Sequence, residues 1–173
     1  MFYVEILIAA AAVFVLGALW YGKLFSKYWQ SQTGITDEQA SKNLALTHGL
    51  SFLAMLALGY YIQSNSGLHY AFSDPGPTIT HGPYHVLFQV VPCVLLILVI
   101  NYLYQKRSIG LFLVDAGYYI SVILITAGII SALTLYDNTQ SEEDYLNKKI
   151  ETYEKRLKSS QDALDAFKER ETE

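Results

Sequence analysis

Two ionisable side chains sit where the surrounding sequence is otherwise apolar. Asp115 lies about one turn inside the last of four long apolar runs, and His48 lies about one turn inside the second. An ionisable group at the centre of a membrane helix costs about 2.5–3.5 kcal/mol on insertion scales, so each needs a reason. On helical spacing Asp115 shares a face with Tyr119, Val122 and Thr126, while His48 shares one with Phe52, Met55 and Gly59, with Ser51 adjacent. A carboxylate beside an imidazole suits proton transfer or recognition of a polar ligand. The candidate intramembrane polar pocket is therefore His48, Ser51, Asp115 and Tyr119. A structural reading outweighs it: near an interface both side chains can reach headgroups or water, or hydrogen-bond neighbouring helices.

The remaining constellations are weaker. His69, His81 and His85 share a loop with Asp74, and such a set could in principle bind zinc or copper. Gly82 and Pro83 speak against a regular helix that would place His81 and His85 on one face, so solvated histidines and no metal site are expected. Glu5, at the outer end of the first run, reads as interfacial. Cys93 is the single cysteine, which excludes an intrachain disulfide and a cysteine metal cluster. No nucleophile–base pair, phosphate-cradling glycine loop or zinc-protease string occurs, so no catalytic residue and no cofactor is expected.

The elements that carry these residues follow from composition. The 173 residues are 52% apolar and 16% charged, below the usual soluble share of about a quarter. About 20 apolar residues span a ~30 Å hydrocarbon core, and four such stretches run roughly over 2–21, 44–63, 85–104 and 111–136. The first has no basic segment before it and an apolar part longer than a secretory signal's, so it is expected to stay in the mature protein. Trp20, Tyr21, Phe25, Tyr28 and Trp29 follow the first span, Tyr60 and Tyr61 close the second, and Tyr102 and Tyr104 close the third. Such rings favour the headgroup layer. Pro92 removes a backbone donor from the third span and is expected to kink it.

The loop after the first span holds Lys23, Lys27 and Lys42, and the loop after the third holds Lys106 and Arg107. The loop over 64–84 has no Lys or Arg. Basic loops stay in the cytoplasm, so both termini are expected to be extracytoplasmic, in a multi-pass protein of a bacterial inner membrane. That second loop, with Asp74-Pro75-Gly76-Pro77, reads as an irregular connector. The anionic balance and the lack of a basic cluster exclude nucleic acid as a partner.

Charge changes character near Asp137: residues 1–140 carry five Lys or Arg and six acids, residues 141–173 seven and ten. The division is a transmembrane domain over 1–136 and a charged helical tail over 137–173. Ser141-Glu142-Glu143-Asp144 resembles a capping box, which predicts a helix starting near Glu142. Leu146, Ile150, Tyr153, Leu157, Leu164 and Phe167 then fall on a heptad seam with Ser160 in the gap. In the fourth span Gly117, Ser121, Gly128 and Ala132 form a small-residue stripe roughly opposite Asp115, which permits close approach of a neighbouring helix, as Gly17 does in the first span. The fold class is all-α, a four-helix transmembrane bundle with a C-terminal extramembrane amphipathic or coiled-coil helix.

The string Gly17-Ala18-Leu19-Trp20-Tyr21-Gly22-Lys23-Leu24-Phe25, followed by Trp29 and Gly34, resembles a family of small four-span membrane proteins catalogued as a domain of unknown function. Arg107-Ser108 and the run Leu111 to Tyr119 extend the resemblance, which covers about residues 1–136. It implies a four-helix membrane bundle and no particular activity, and the heptad-bearing tail departs from the family's compact pattern. The function expected is a non-catalytic membrane subunit that associates with itself or with a larger complex through bundle and tail. The alternative is a small-solute or proton carrier using the His48 and Asp115 pocket, and an enzyme acting on a lipid or quinone ranks below both.

Overall fold

The computed structural model describes residues 2–70 and 79–171; the side chains of residues 2, 66–70, 81, 164–166 and 168–171 fall outside that description, as do Asp74 and the rest of the connector over 71–78. All of the secondary structure described is helical. Helix α1 (Phe2–Leu19) passes into a π-helical turn (Trp20–Leu24), and α2 (Ser26–Thr33) and α3 (Asp37–Ser41) follow before α4 (Leu44–Tyr70). Then come α5 (His81–Gln89), α6 (Val91–Gln105) and α7 (Ile109–Glu171). Four stretches are long and apolar enough to cross a membrane: Tyr3–Leu24, Leu44–Asn65, Gly82–Gln105, and one within Ile109–Ala163. The chain is a multi-pass helical membrane protein.

The loop between the first two spans is itself helical, which apolar periodicity did not indicate. Gly34 ends α2 in the left-handed region at φ 71°, and its N–H donates to Gln30 O at 2.9 Å. A backbone with φ above zero favours glycine. Thr36 then starts α3 with a capping box: Gln39 N–H donates to Thr36 Oγ1 at 3.3 Å, and Thr36 N–H donates to Gln39 Oε1 at 3.1 Å.

The third span is two helices that meet at Val90. Pro92 sits in the first turn of α6, where its missing N–H is one a helix start leaves unpaired anyway. Pro83 is tolerated in the first turn of α5 for the same reason. Regular helix over His81–Gln89 thus corrects the expectation that Gly82 and Pro83 prevent it.

The chain divides into two compact units, Met1–Leu135 and Tyr136–Glu173. In the first, Ala9, Ala10 and Val13 of α1 are fully covered, and Ala9 packs in a core with Ile62, Val86, Val91, Ile123, Ala127 and Ile130. Small residues set how near the helices come. A Cβ on Gly59 of α4 would lie 3.0 Å from Ile6 Cγ2 of α1, and one on Gly82 of α5 would run into Ser131 Oγ of α7. Large residues left uncovered, such as Leu50, Leu53, Leu96 and Ile97, are what a bundle presents to acyl chains.

The second unit is helical throughout its described residues, and Ser141 lies inside α7 rather than at a helix start. The reason is compositional. No glycine or proline occurs after Gly128, so nothing in the sequence stops the helix, and Asp, Asn, Thr and Ser interrupt it at only a few tenths of a kcal/mol each, about 0.7 at most.

Candidate functional site

The π turn is the local feature that builds the site. Phe25 N–H donates to Trp20 O at 2.8 Å, a five-residue step that adds one residue to the winding at the end of the first span. Trp20 and Tyr21 are then both directed at α7. Trp20 Nε1 donates to Val114 O at 3.2 Å, and its indole is accommodated by Gly117, where a Cβ would come within 3.3 Å of the ring. Tyr21 donates its hydroxyl to Asp115 Oδ1 at 2.9 Å. The other oxygen, Oδ2, accepts the hydroxyl of Tyr102, a buried residue of α6. One carboxylate therefore ties together the first, third and fourth spans, using both oxygens.

Tyr118 backs this clamp. Its ring lies 4.9 Å from that of Tyr21 and 6.1 Å from that of Trp20, and it packs with Val13 and Val122. A Cβ on Gly17 would lie 2.8 Å from the Tyr118 hydroxyl oxygen, so Gly17 is where the α1 backbone meets that ring.

On the other side of Tyr21 a groove with a volume of about 600 Å³ separates α1 from α4. Phe14, Ala18, Met55 and Tyr118 line it together with Ser26, Gln30, Thr47, His48 and Ser51. His48 Nδ1 donates to Leu44 O at 2.8 Å, and the ring meets the Phe14 ring edge-on at 5.6 Å. His48 and Ser51 share the groove, whereas Asp115 does not line it and reaches it through Tyr21. Tyr119 packs against Tyr118 at 5.6 Å and makes no hydrogen bond to Asp115 among the described residues.

A second carboxylate stands at the opposite end of the bundle. Glu5 is 4% exposed, and its Oε2 accepts from Gln63 Nε2 at 2.8 Å and from Thr134 Oγ1 at 3.4 Å. This corrects the interfacial reading of Glu5: the alanines at 9 and 10 let α4 and α7 close over the first turns of α1 and bring polar partners with them. Gln63 Oε1 and Thr126 Oγ1 are buried without a hydrogen-bond partner among the described residues.

The stripe on α7 is used in two places within the bundle. Gly117 meets Trp20, and Gly128 faces Pro83 of α5, with a hypothetical Cβ 3.9 Å from Pro83 Cγ. Ser121 donates to Gly117 O at 2.8 Å within its own helix, and Ala132 is half-buried. His85 lies beside Gln89, Nδ1 to Nε2 3.3 Å, while the side chains of His69 and His81, with Asp74, fall outside the described residues. In the second unit Leu146, Ile150, Tyr153, Leu157 and Phe167 are all exposed; the Leu164 side chain is among those not described.

Sequence reasoning found Asp115 and missed its partners. Tyr21 and Tyr102 were read as headgroup aromatics, a role that uses the ring and leaves the hydroxyl unassigned. Depth was the available signal: the first and third spans end, and the fourth begins, on the same side of the bundle, so these two tyrosines share the level of Asp115.

A polytopic bundle of four spans, tied at one end by an aspartate held between tyrosines of two other spans, is the class these features define. The chain belongs to the family described as protein of unknown function (DUF1761), whose sequence model matches residues 4–131. The clamp, the groove and Glu5 lie inside the matched residues, and the tail seam lies outside them. No curated protein and no solved structure matches the chain.

Proposed function

We propose that this chain is a non-catalytic membrane subunit that pairs with a second copy of itself through its C-terminal helix, the four spans fixing both copies in one orientation. The observation that carries this reading is the seam. Leu146, Ile150, Tyr153, Leu157 and Phe167 recur at heptad spacing and are 49–64% exposed in the charged C-terminal part of α7. In water, such a row is stabilised by a partner helix rather than by solvent.

Charge selects the partner. With Ile150 and Leu157 at position a and Leu146, Tyr153 and Phe167 at position d, Lys149 falls at g and Glu154 at the following e. In a parallel pair these two residues face each other across the seam, with opposite sign. In an antiparallel pair Lys149 and Arg156, both at g, would be set against basic residues. Two copies inserted in one bilayer with the same topology present their tails parallel, and confinement to the membrane raises their effective concentration, which a seam of about three heptads needs. Glu151 and Lys155 pair with each other at 2.7 Å on the outer face and leave the seam to apolar groups. The lysine-bearing loops support a cytoplasmic placement for themselves and an extracytoplasmic one for the tail.

Cysteine cross-linking in native membranes tests this. In a Cys93→Ser background, Leu157→Cys is expected to give a disulfide-linked dimer and Lys155→Cys, on the outer face, to give none. Equal reaction at both positions, monomer at both, or linkage only to a different protein overturns it.

A carrier is the second reading, favoured by one observation: Tyr21 both lines the groove and bonds Asp115. Purified protein in liposomes that passes neither protons nor small solutes, with Asp115 intact or replaced by Asn, retires it.

A further inference from the structure

The groove between α1 and α4 is graded along its length. Phe14, Gly17, Ala18, Met55 and Tyr118 give it apolar walls, with His48 and Ser51 at the level of Phe14, and Ser26, Gln30, Ala40 and Thr47 line it nearer the loop between the two spans. The helices close tightly further along, where Gly59 meets Ile6, so the groove is shut at one end and open at the lysine-bearing end. About 600 Å³ lies within the range of sites that hold one small molecule or a lipid segment.

The open end is bordered by cations. Gly22 and Ser26 line the groove and are the immediate neighbours of Lys23 and Lys27, and Ala40 and Leu44 are each two residues from Lys42. All three lysines are exposed, and none makes an ion pair among the described residues. Asp37 and Glu38 share this loop, and Asp37 accepts from the groove-lining Gln30 Nε2 at 2.6 Å, so the lysines outnumber the acids there by one. His48 and Ser51 add polar groups beside Phe14.

A largely apolar slot that opens toward a loop with more lysines than acids fits an acyl chain carrying a negatively charged head. We propose that this groove binds a single anionic phospholipid, its chain against Phe14, Ala18, Met55 and Tyr118 and its phosphate toward Lys23, Lys27 and Lys42. Mobile ammonium groups near an anionic headgroup supply the selectivity, and the apolar walls supply retention by removing the chain from competing bulk lipid only where the slot fits it.

Native mass spectrometry of the full chain, released from nanodiscs made with equal phosphatidylglycerol and phosphatidylcholine, reads this out. One retained phosphatidylglycerol per chain is expected. Replacing Lys23, Lys27 and Lys42 together by Gln is expected to lower the preference for phosphatidylglycerol by about tenfold or more. Ala18→Trp, which fills the slot, should abolish retention, whereas Leu53→Trp on an uncovered face of α4 should leave it unchanged. Retention without headgroup preference, equal retention in Ala18→Trp, or no bound lipid in a chain whose Leu53→Trp control is folded overturns the proposal.

Discussion

The two ends of the bundle each hold a carboxylate, half-buried at Asp115 and buried at Glu5, and they do it differently. Asp115 accepts one tyrosine hydroxyl on each oxygen, from two different spans. Glu5 accepts from Gln63 and, at a long 3.4 Å, from Thr134 on its Oε2, and its amide partner keeps an oxygen without a hydrogen bond among the described residues. A charge-assisted hydrogen bond is worth about 1.5–3 kcal/mol, and a buried donor left unmade costs a comparable amount. Both carboxylates join separate helices, and the one that accepts two tyrosine hydroxyls should thus hold the bundle together more strongly than the one whose threonine bond is long.

Replacement by leucine breaks that comparison most directly. Asp115→Leu strands two tyrosine hydroxyls and is expected to destabilise by about 3 kcal/mol or more, and Glu5→Leu by about half as much. Reversible unfolding in mixed detergent–lipid micelles measures both, and a larger loss at Glu5 would reverse the ranking. Gly82→Ala sharpens the contrast from the side of packing. The added methyl meets Ser131 and lies 3.3 Å from the Ala127 carbonyl oxygen, and overpacking of this kind costs about 1–3 kcal/mol in the same assay.

Smaller effects resolve the clamp itself. Tyr21→Phe and Tyr102→Phe should each cost about 1 kcal/mol, and the double variant should differ from their sum, because both hydroxyls serve one carboxylate. Additivity within error would mean that the two bonds act independently. Thr134→Val removes only the long bond to Glu5 and should change stability by a few tenths of a kcal/mol. A loss as large as that of Tyr21→Phe would show that the two ends are built alike after all.

The four spans were legible because crossing hydrocarbon demands an apolar length that few other structures need, and the break in the third was signalled by Pro92. The heptad spacing of the tail was legible for a similar reason, since a row repeating every three or four residues has a helical period. The helix start at Ser141 was not, because a capping string is a local preference that an uninterrupted run of helix formers overrides. Asp115 was legible as a polar residue out of place. Its tyrosine partners were hidden by the double nature of the phenol, whose ring suits the headgroup layer and whose hydroxyl suits a carboxylate. Glu5 was misplaced because its distance from the chain start suggested the surface, while the small residues that let two other helices cover it lie one and two turns further on.

The π turn makes the first span unequal in its tolerance of length changes. Each residue of an α-helix advances the chain by about 100° around the axis. In Trp20–Leu24 five residues complete the turn that four complete in an α-helix, so deleting one of those between Trp20 and Phe25 turns the Phe25–Trp20 bond into an ordinary four-residue step and leaves Trp29 and everything beyond at nearly the same angle to α1. A one-residue deletion inside this turn should therefore be milder than one earlier in the span, where the same loss swings everything beyond it by about 100°.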